Sequence, residues 1–176
     1  TAPASRAAQD GTRRYKGRVT KLLRKIPVAA EAAVDYDRDL YKHWIDADAD
    51  GCDTREEVGI AEATSPVTTG PGCTLTGTWR SYYDGVTTTD YSTFDVDHMV
   101  PLGEAHPSGA WAWDADTRTR YANDLDDKRA LVAVTASSNR SKSDRDPAEW
   151  LPVKGTCRYA TEWVSIKWRW GLSIDP

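Results

Sequence analysis

Residues 95–102 read Asp-Val-Asp-His-Met-Val-Pro-Leu, and further along residues 131–142 read Leu-Val-Ala-Val-Thr-Ala-Ser-Ser-Asn-Arg-Ser-Lys. The first stretch completes an apolar strand expected over residues 94–100, which the Pro101-Leu102 turn ends. A histidine at the end of a strand suits general-base work, because neutral imidazole titrates near neutrality and the strand fixes its direction. In a regular strand Asp97 points to the face opposite His98. The two reach one metal–phosphate site only where the strand ends or bends, as Pro101 allows. Read alone, the same residues also fit an ordinary structural histidine. In the second stretch, Leu131 to Val134 form a short apolar β run. The polar residues after it offer Arg140, Lys142 and Arg145 as phosphate contacts, and Asn139 as a neutral oxygen for a hard cation. The alternative is a solvated, serine-rich loop that caps the following helix.

Working outward, residues 46–57 read Asp-Ala-Asp-Ala-Asp-Gly-Cys-Asp-Thr-Arg-Glu-Glu and fit the pattern D-x-D-x-D-G-x5-E. Asp46, Asp48, Asp50, the Cys52 carbonyl and Glu57 then become ligands of a structural Ca²⁺. The alternative is an acidic connector in which Arg55 pairs internally. Helices are expected over residues 19–26, 29–44, 56–63, 109–113, 117–123, 147–151 and 159–170. The middle reads as β: a strand over 73–83, a turn at Asp84-Gly85, and a return over 86–90. The order of elements gives an α+β fold.

The chain has 176 residues, one domain's worth, with 28% charged residues and a mean hydropathy of -0.64. No apolar run approaches the length of a membrane span. No apolar signal-peptide segment is visible near Thr1, and the opening residues read as the start of an already processed chain. The net charge of -4 argues against a uniformly basic nucleic-acid binder. That figure is an average over opposed segments. Residues 1–27 hold eight bases and one acid, and residues 28–60 hold ten acids and three bases. The expected organisation is a mobile basic arm over residues 1–17 and a single domain over 18–176. Eight Trp and eight Tyr against one Phe are read as core and rim packing.

Three cysteines without CxxC spacing argue against a zinc site. A Cys52–Cys73 disulfide would close a short loop, contribute about 3 kcal/mol, and suggest an oxidising compartment. Cys157 is then left over, as a free thiol or as the partner of a cysteine beyond Pro176. Three reduced thiols are the alternative.

Taken together, D-H-x-x-P and L-V-A-V-T-x-x-x-N-R-S-K-x-D resemble the His-Me finger (HNH) nucleases. More narrowly, the chain resembles secreted bacterial members of the family that includes the GmrSD restriction-endonuclease C-terminal domain. The stretches that carry the resemblance include YKHWID (41–46), DGCDTREEV (50–58), GTWRS (77–81), DVDHMVPLGEA (95–105), SGAW (108–111), YANDL (121–125) and DPAEWLP (146–152). It extends from about Tyr36 to the end of the chain.

The resemblance implies a ββα-metal core with additional N-terminal and C-terminal helices. It implies an extracellular, metal-dependent endonuclease acting on DNA, with RNA as a second substrate, and leaving 5′-phosphates. With no recognition module appended, little sequence specificity is expected. His98 matches the general base, and Asp97 and Asn139 match the ligands of a divalent metal such as Mg²⁺ or Mn²⁺. Glu104 is either a carboxylate supporting that site or a helix-start residue. Arg140 and Lys142, then Arg80 and Arg55, are the expected phosphate contacts. Many HNH sequences carry an Asn where this chain has Arg129-Ala130-Leu131, so His98 is oriented either by Asn123 or by a backbone carbonyl. Related secreted chains continue to a final cysteine, so Cys157 suggests an early end here. A monomer without a membrane partner is expected. The rival readings are a non-catalytic extracellular calcium-binding module and a delivered nuclease toxin domain.

Overall fold

The computed structural model describes residues 10–176. In chain order its elements are α1 (Val19–Leu23), α2 (Thr54–Glu62), β1 (Thr68–Thr69), β2 (Leu75–Thr76), β3 (Trp79–Arg80), β4 (Thr87–Thr88), β5 (Phe94–His98), α3 (Leu102–Ala105), α4 (Ala115–Ala122), β6 (Leu131–Thr135), α5 (Ala136–Lys142) and α6 (Thr156–Trp170). The fold is α+β, with three antiparallel two-stranded pairings: β1 with β2, β3 with β4, and β5 with β6.

The central pairing runs in register from Phe94↔Thr135 to His98↔Leu131. Every residue of β6 is buried, as its unbroken apolar run requires of a strand covered on both faces. Thr135 ends β6 and also caps α5, its Oγ1 accepting the Ser138 N–H at 3.4 Å. Asp84, in the turn between β3 and β4, accepts hydrogen bonds from the hydroxyls of Thr135 and Ser138. Strand, cap and helix are thereby fixed as one unit, and α5 packs against both β5 and β6.

The tryptophans and tyrosines do pack the core. Trp79, Trp163 and Trp170 join Tyr41, Tyr83, Tyr121 and Tyr159 in one cluster with the apolar residues of β5 and β6. Along α6, Tyr159, Trp163, Ile166 and Trp170 are buried at the 4-3-4 spacing of a single helix face. Gly171 ends that helix at φ +64°, where a side chain would be strained.

Several expected elements differ. Residues 29–44 form no long helix; a single 3-10 turn, Arg38–Leu40, is helical there. The backbone of this segment is spent on other partners. Ala29 N–H donates to the Ile174 carbonyl, Ala32 N–H to Pro107, and Ile174 N–H to Pro27. Val34 and Leu40, expected on an apolar face, are exposed. Residues 147–151 make one turn, held by Asp146 Oδ1 on the N–H groups of Ala148 and Glu149. The expected 73–83 strand is broken into β2 and β3, and β5 ends at His98. The serine-rich stretch after β6 is not a loop, because it forms α5.

Residues 1–9 of the arm expected over 1–17 lie outside the described residues. From residue 10 onward the segment is anchored. Arg13 stacks on the Trp168 ring at 3.5 Å, and Tyr15 meets the same ring edge-on.

Candidate active site

A cleft of about 370 Å³ opens where β5 meets α5, lined by Arg38, His98, Pro101, Asn139, Arg140 and Asp144 among others. The regular strand sends Asp97 and His98 to opposite faces, so each has its own set of neighbours.

His98 is sandwiched between aromatic rings. Trp44 stacks on one side at 5.5 Å and Tyr121 on the other at 6.4 Å between centroids. Its Nε2 lies 2.9 Å from the Ala122 carbonyl. A carbonyl only accepts, so Nε2 carries the proton and Nδ1 keeps its lone pair. Burial pushes the imidazole pKa down to about 3, so the ring is neutral at working pH. Of the two ways to orient His98, the structure uses the backbone carbonyl. Asn123 has another task. Its Nδ2 donates to the carbonyls of Lys42 and Thr119, and its Oδ1 accepts from Ile45 N–H and Thr54 Oγ1. It joins the end of α4 to the segment that carries Trp44.

Asp97 is 4% exposed, and its carboxylate is fully engaged. Lys142 Nζ donates to its oxygens at 2.8 and 2.6 Å, and Tyr83 OH donates to Oδ2 at 2.5 Å. Lys142 is 0% exposed and also bonds the carbonyls of His98 and Met99. Burial pushes the Asp97 carboxyl up and the Lys142 amine down, and each is the other's main opposing influence. This corrects Lys142 as a phosphate contact: the amine sits inside the protein and ties α5 to the end of β5. Asp97 borders the cleft, but both of its carboxylate oxygens are taken up by Lys142 and Tyr83.

The acid that Asn139 meets is Asp95. Asn139 Nδ2 lies 3.2 Å from Asp95 Oδ2, and Arg140 Nε lies 3.5 Å from the same oxygen. Asp95 is half-buried and Arg140 is exposed at the cleft. One carboxylate and one amide, both reachable from solvent, form a donor set that suits Mg²⁺ or Mn²⁺. Asp97, locked by Lys142, does not fit that set as it stands.

Glu104 lies elsewhere. From α3 it reaches Lys167 on α6 and accepts the Ser108 hydroxyl at 3.2 Å, away from the cleft. Burial raises its carboxyl to about 7, against the pull of Lys167. Arg55 is also corrected, because its guanidinium donates to the Phe94 carbonyl at 2.8 Å and packs on Tyr91, anchoring the start of β5. Arg80 is exposed on β3 and does not line the cleft. Of the four expected phosphate contacts, Arg140 alone stands at the site.

The acidic loop brings its carboxylates together as two overlapping groups rather than one. The carboxylates of Asp46, Asp48 and Asp50 approach within 4.8 Å of one another, and so do the ligand atoms of Asp50, Cys52 and Glu57. Cys52 is bonded to Cys73, which leaves its carbonyl but not its thiolate for a cation. Burial and the three aspartates raise the Glu57 carboxyl. Cys157 is exposed and unbridged.

Sequence reasoning misses Asp95, Arg38, Trp44 and Tyr121. Asp95 carries a readable signal, since it stands two residues before Asp97 on the same strand face. Arg38 and Trp44 carry none, because they reach the cleft and its histidine from a segment with little regular structure.

The comparisons with known proteins cover the same part of the chain. The family model described as GmrSD restriction endonucleases, C-terminal domain, matches residues 66–174, which hold β5, β6, α5 and every cleft residue but Arg38. A protein of Arthroderma benhamiae described as an uncharacterized secreted protein is 37% identical over 156 residues, covering 87% of this chain and 76% of that one. No solved structure matches the chain. The chain belongs to the family of the GmrSD restriction endonuclease C-terminal domain.

Proposed function

We propose that the chain is a secreted, metal-dependent endonuclease of the His-Me finger type that hydrolyses phosphodiester bonds of DNA, and of RNA as a second substrate. The observation that carries the proposal is the state of His98. Its Nε2–H is committed to Ala122, which leaves Nδ1 as a free base in a cleft shared with Asn139 and Arg140. Asn139 and Asp95 would hold the divalent metal, with Asp97 able to join only where Lys142 gives way. When bound, the metal supplies positive charge for the phosphate oxygens in the transition state.

The protein's own residues do the rest. Arg140 and Arg38 bind the entering phosphate. The paired rings of Trp44 and Tyr121 hold the imidazole plane, and the Ala122 carbonyl fixes its tautomer. An anionic phosphate beside the ring favours imidazolium, which raises its low proton affinity when substrate is present. His98 Nδ1 then takes a proton from the attacking water. The disulfide, the secreted relative and the absence of a helix long and apolar enough to cross a membrane among the described residues support the extracellular reading.

Incubation of supercoiled plasmid and of single-stranded RNA with Mg²⁺, Mn²⁺ or chelator tests the proposal. Wild type is expected to cleave with metal. His98→Ala, folded by circular dichroism, is expected to lose at least about 100-fold in rate. Absence of cleavage by wild type with either metal overturns it.

A further inference from the structure

The cleft is poor in cations for an enzyme that must hold a polyanion. Lys142 and Arg55 are spent internally, and of the two arginines at the cleft Arg140 shares its charge with Asp95, leaving Arg38. The strongest basic run lies elsewhere, over residues 13–25, with Arg13, Arg14, Lys16, Arg18, Lys21, Arg24 and Lys25 and no acid among thirteen residues. These charges stand on an ordered support. Leu22 and Ile26 are buried, α1 packs against α6, and Arg13 stacks on Trp168. Gly11 passes so close to the Trp170 ring that a Cβ there would lie 2.5 Å from it, which fixes the entry of the segment. Six of the seven cations are exposed. Among the described residues none of the seven makes an ion pair with a carboxylate.

Two further observations point to a phosphate partner. A hollow of about 100 Å³ beside this run is lined by Arg13, Tyr15, Arg129 and Trp168. The buried indole N–H of Trp168 has no hydrogen-bond partner, and of the two guanidinium groups beside it Arg129 is held by Asp127 while Arg13 has no carboxylate partner. The segment is also tied to the loop that orients the catalytic histidine. Arg14 donates to the Asp126 carbonyl and Arg120 to the Asp10 carbonyl, and Asp126 follows Ala122 by four residues.

We propose that the docked basic segment Arg13–Lys25 is a second nucleic-acid contact surface, which holds the phosphate backbone of duplex DNA while the cleft acts on it. It rests on the nuclease reading for its purpose but not for its binding. Contacts of this kind read no sequence, so the surface adds affinity rather than specificity.

The test is binding of a fluorescein-labelled 20-base-pair DNA duplex in chelator, where no cleavage occurs, across 50–200 mM salt. Two variants are compared with wild type. One is the fourfold charge reversal Lys16→Glu, Arg18→Glu, Lys21→Glu and Arg24→Glu. The other is Trp168→Phe, which keeps the ring beneath Arg13 and removes its N–H. The fourfold variant is expected to bind at least tenfold more weakly. Its log K against log salt slope should be shallower by about 0.9 for each phosphate that the segment no longer neutralises. Trp168→Phe is expected to weaken binding severalfold. A fourfold variant with wild-type affinity and slope overturns the proposal, and so does tighter binding of wild type to phosphatidylglycerol vesicles than to the duplex. Binding without cleavage by wild type in both Mg²⁺ and Mn²⁺ sinks the nuclease reading and leaves this one standing.

Discussion

Asp95 and Asp97 stand two residues apart on one face of β5, and each meets a residue of α5, Asn139 and Lys142 respectively. Their surroundings divide them. At the closed end, Asp97 and Lys142 are almost wholly out of water, and every oxygen and proton of the pair has a partner within the protein. At the open end, Asp95 keeps water access, and its neighbours are an amide and an exposed guanidinium at a cleft. The same strand and helix thus make a structural ion pair and a candidate metal site within two residues. What separates them is burial, which turns one acid into a fastening and leaves the other available to a ligand.

The largest effect should come from the closed end. Lys142→Met keeps the length of the side chain and removes the charge, stranding a buried carboxylate with one tyrosine hydroxyl. Breaking one side of a buried pair costs about 3–5 kcal/mol. For a domain of this size that is roughly 6–20 °C in melting temperature. Scanning calorimetry reads it directly. A variant melting within a degree of wild type would mean that Asp97 does not depend on Lys142 and is free to turn toward the cleft, erasing the contrast.

Glu62 sharpens the comparison, because it is a half-buried acid at the end of α2 that meets β6 without an ion pair to a cation among the described residues. It accepts the Ala133 N–H on the outer edge of β6 at 2.7 Å, and burial raises its carboxyl to about 7. A carboxyl raised on folding binds its proton more tightly in the folded state. Its contribution to stability is therefore full below about pH 4.5 and is lost as pH rises to about 7. The slope is at most about 1.4 kcal/mol per pH unit for one proton. Glu62→Gln keeps the acceptor and cannot ionise. Its melting temperature should match wild type near pH 4.5 and exceed it increasingly up to pH 8. A difference that stays constant over this range would show that burial without a bonded cation does not decide how an acid behaves against this sheet.

The central strand pair and the meeting of His98, Asn139 and Arg140 at one cleft are legible in the sequence, for a physical reason. Phe94 to His98 alternates apolar with polar residues and Leu131 to Val134 is an apolar run, patterns whose meaning does not depend on distant partners, and the D-H and N-R-S-K spacing is local. The α+β class, α6 and the disulfide are legible on the same grounds. Residues 29–44 mislead because their alanines favour helix locally, while Ile174 and Pro107, far along the chain, take up the backbone. The roles of Lys142 and Arg55 are hidden for a related reason. A basic side chain near a catalytic motif looks alike whether it faces water or a buried carboxylate, and only burial tells them apart. Glu104, likewise, is six residues from His98 in sequence but turns toward Lys167 of the closing helix.

The smallest expected effect tests the open end. Asp95→Asn keeps the shape of the side chain and a hydrogen-bonding partner for Asn139, and removes the charge offered to a metal. Because Asp95 is half-buried and its contact with Arg140 is largely solvent-exposed, stability should change by less than about 1 kcal/mol. Cleavage should fall by about 10- to 100-fold at limiting Mg²⁺, and saturating metal should recover part of it, since the loss lies in metal affinity. Asp97→Asn is the control that gives the comparison its edge. It is expected to lower the melting temperature, as Lys142→Met does. If Asp95→Asn instead leaves metal dependence unchanged while Asp97→Asn shifts it, then the pair with Lys142 opens during the reaction. The burial that separates the two acids would then belong to the resting enzyme alone.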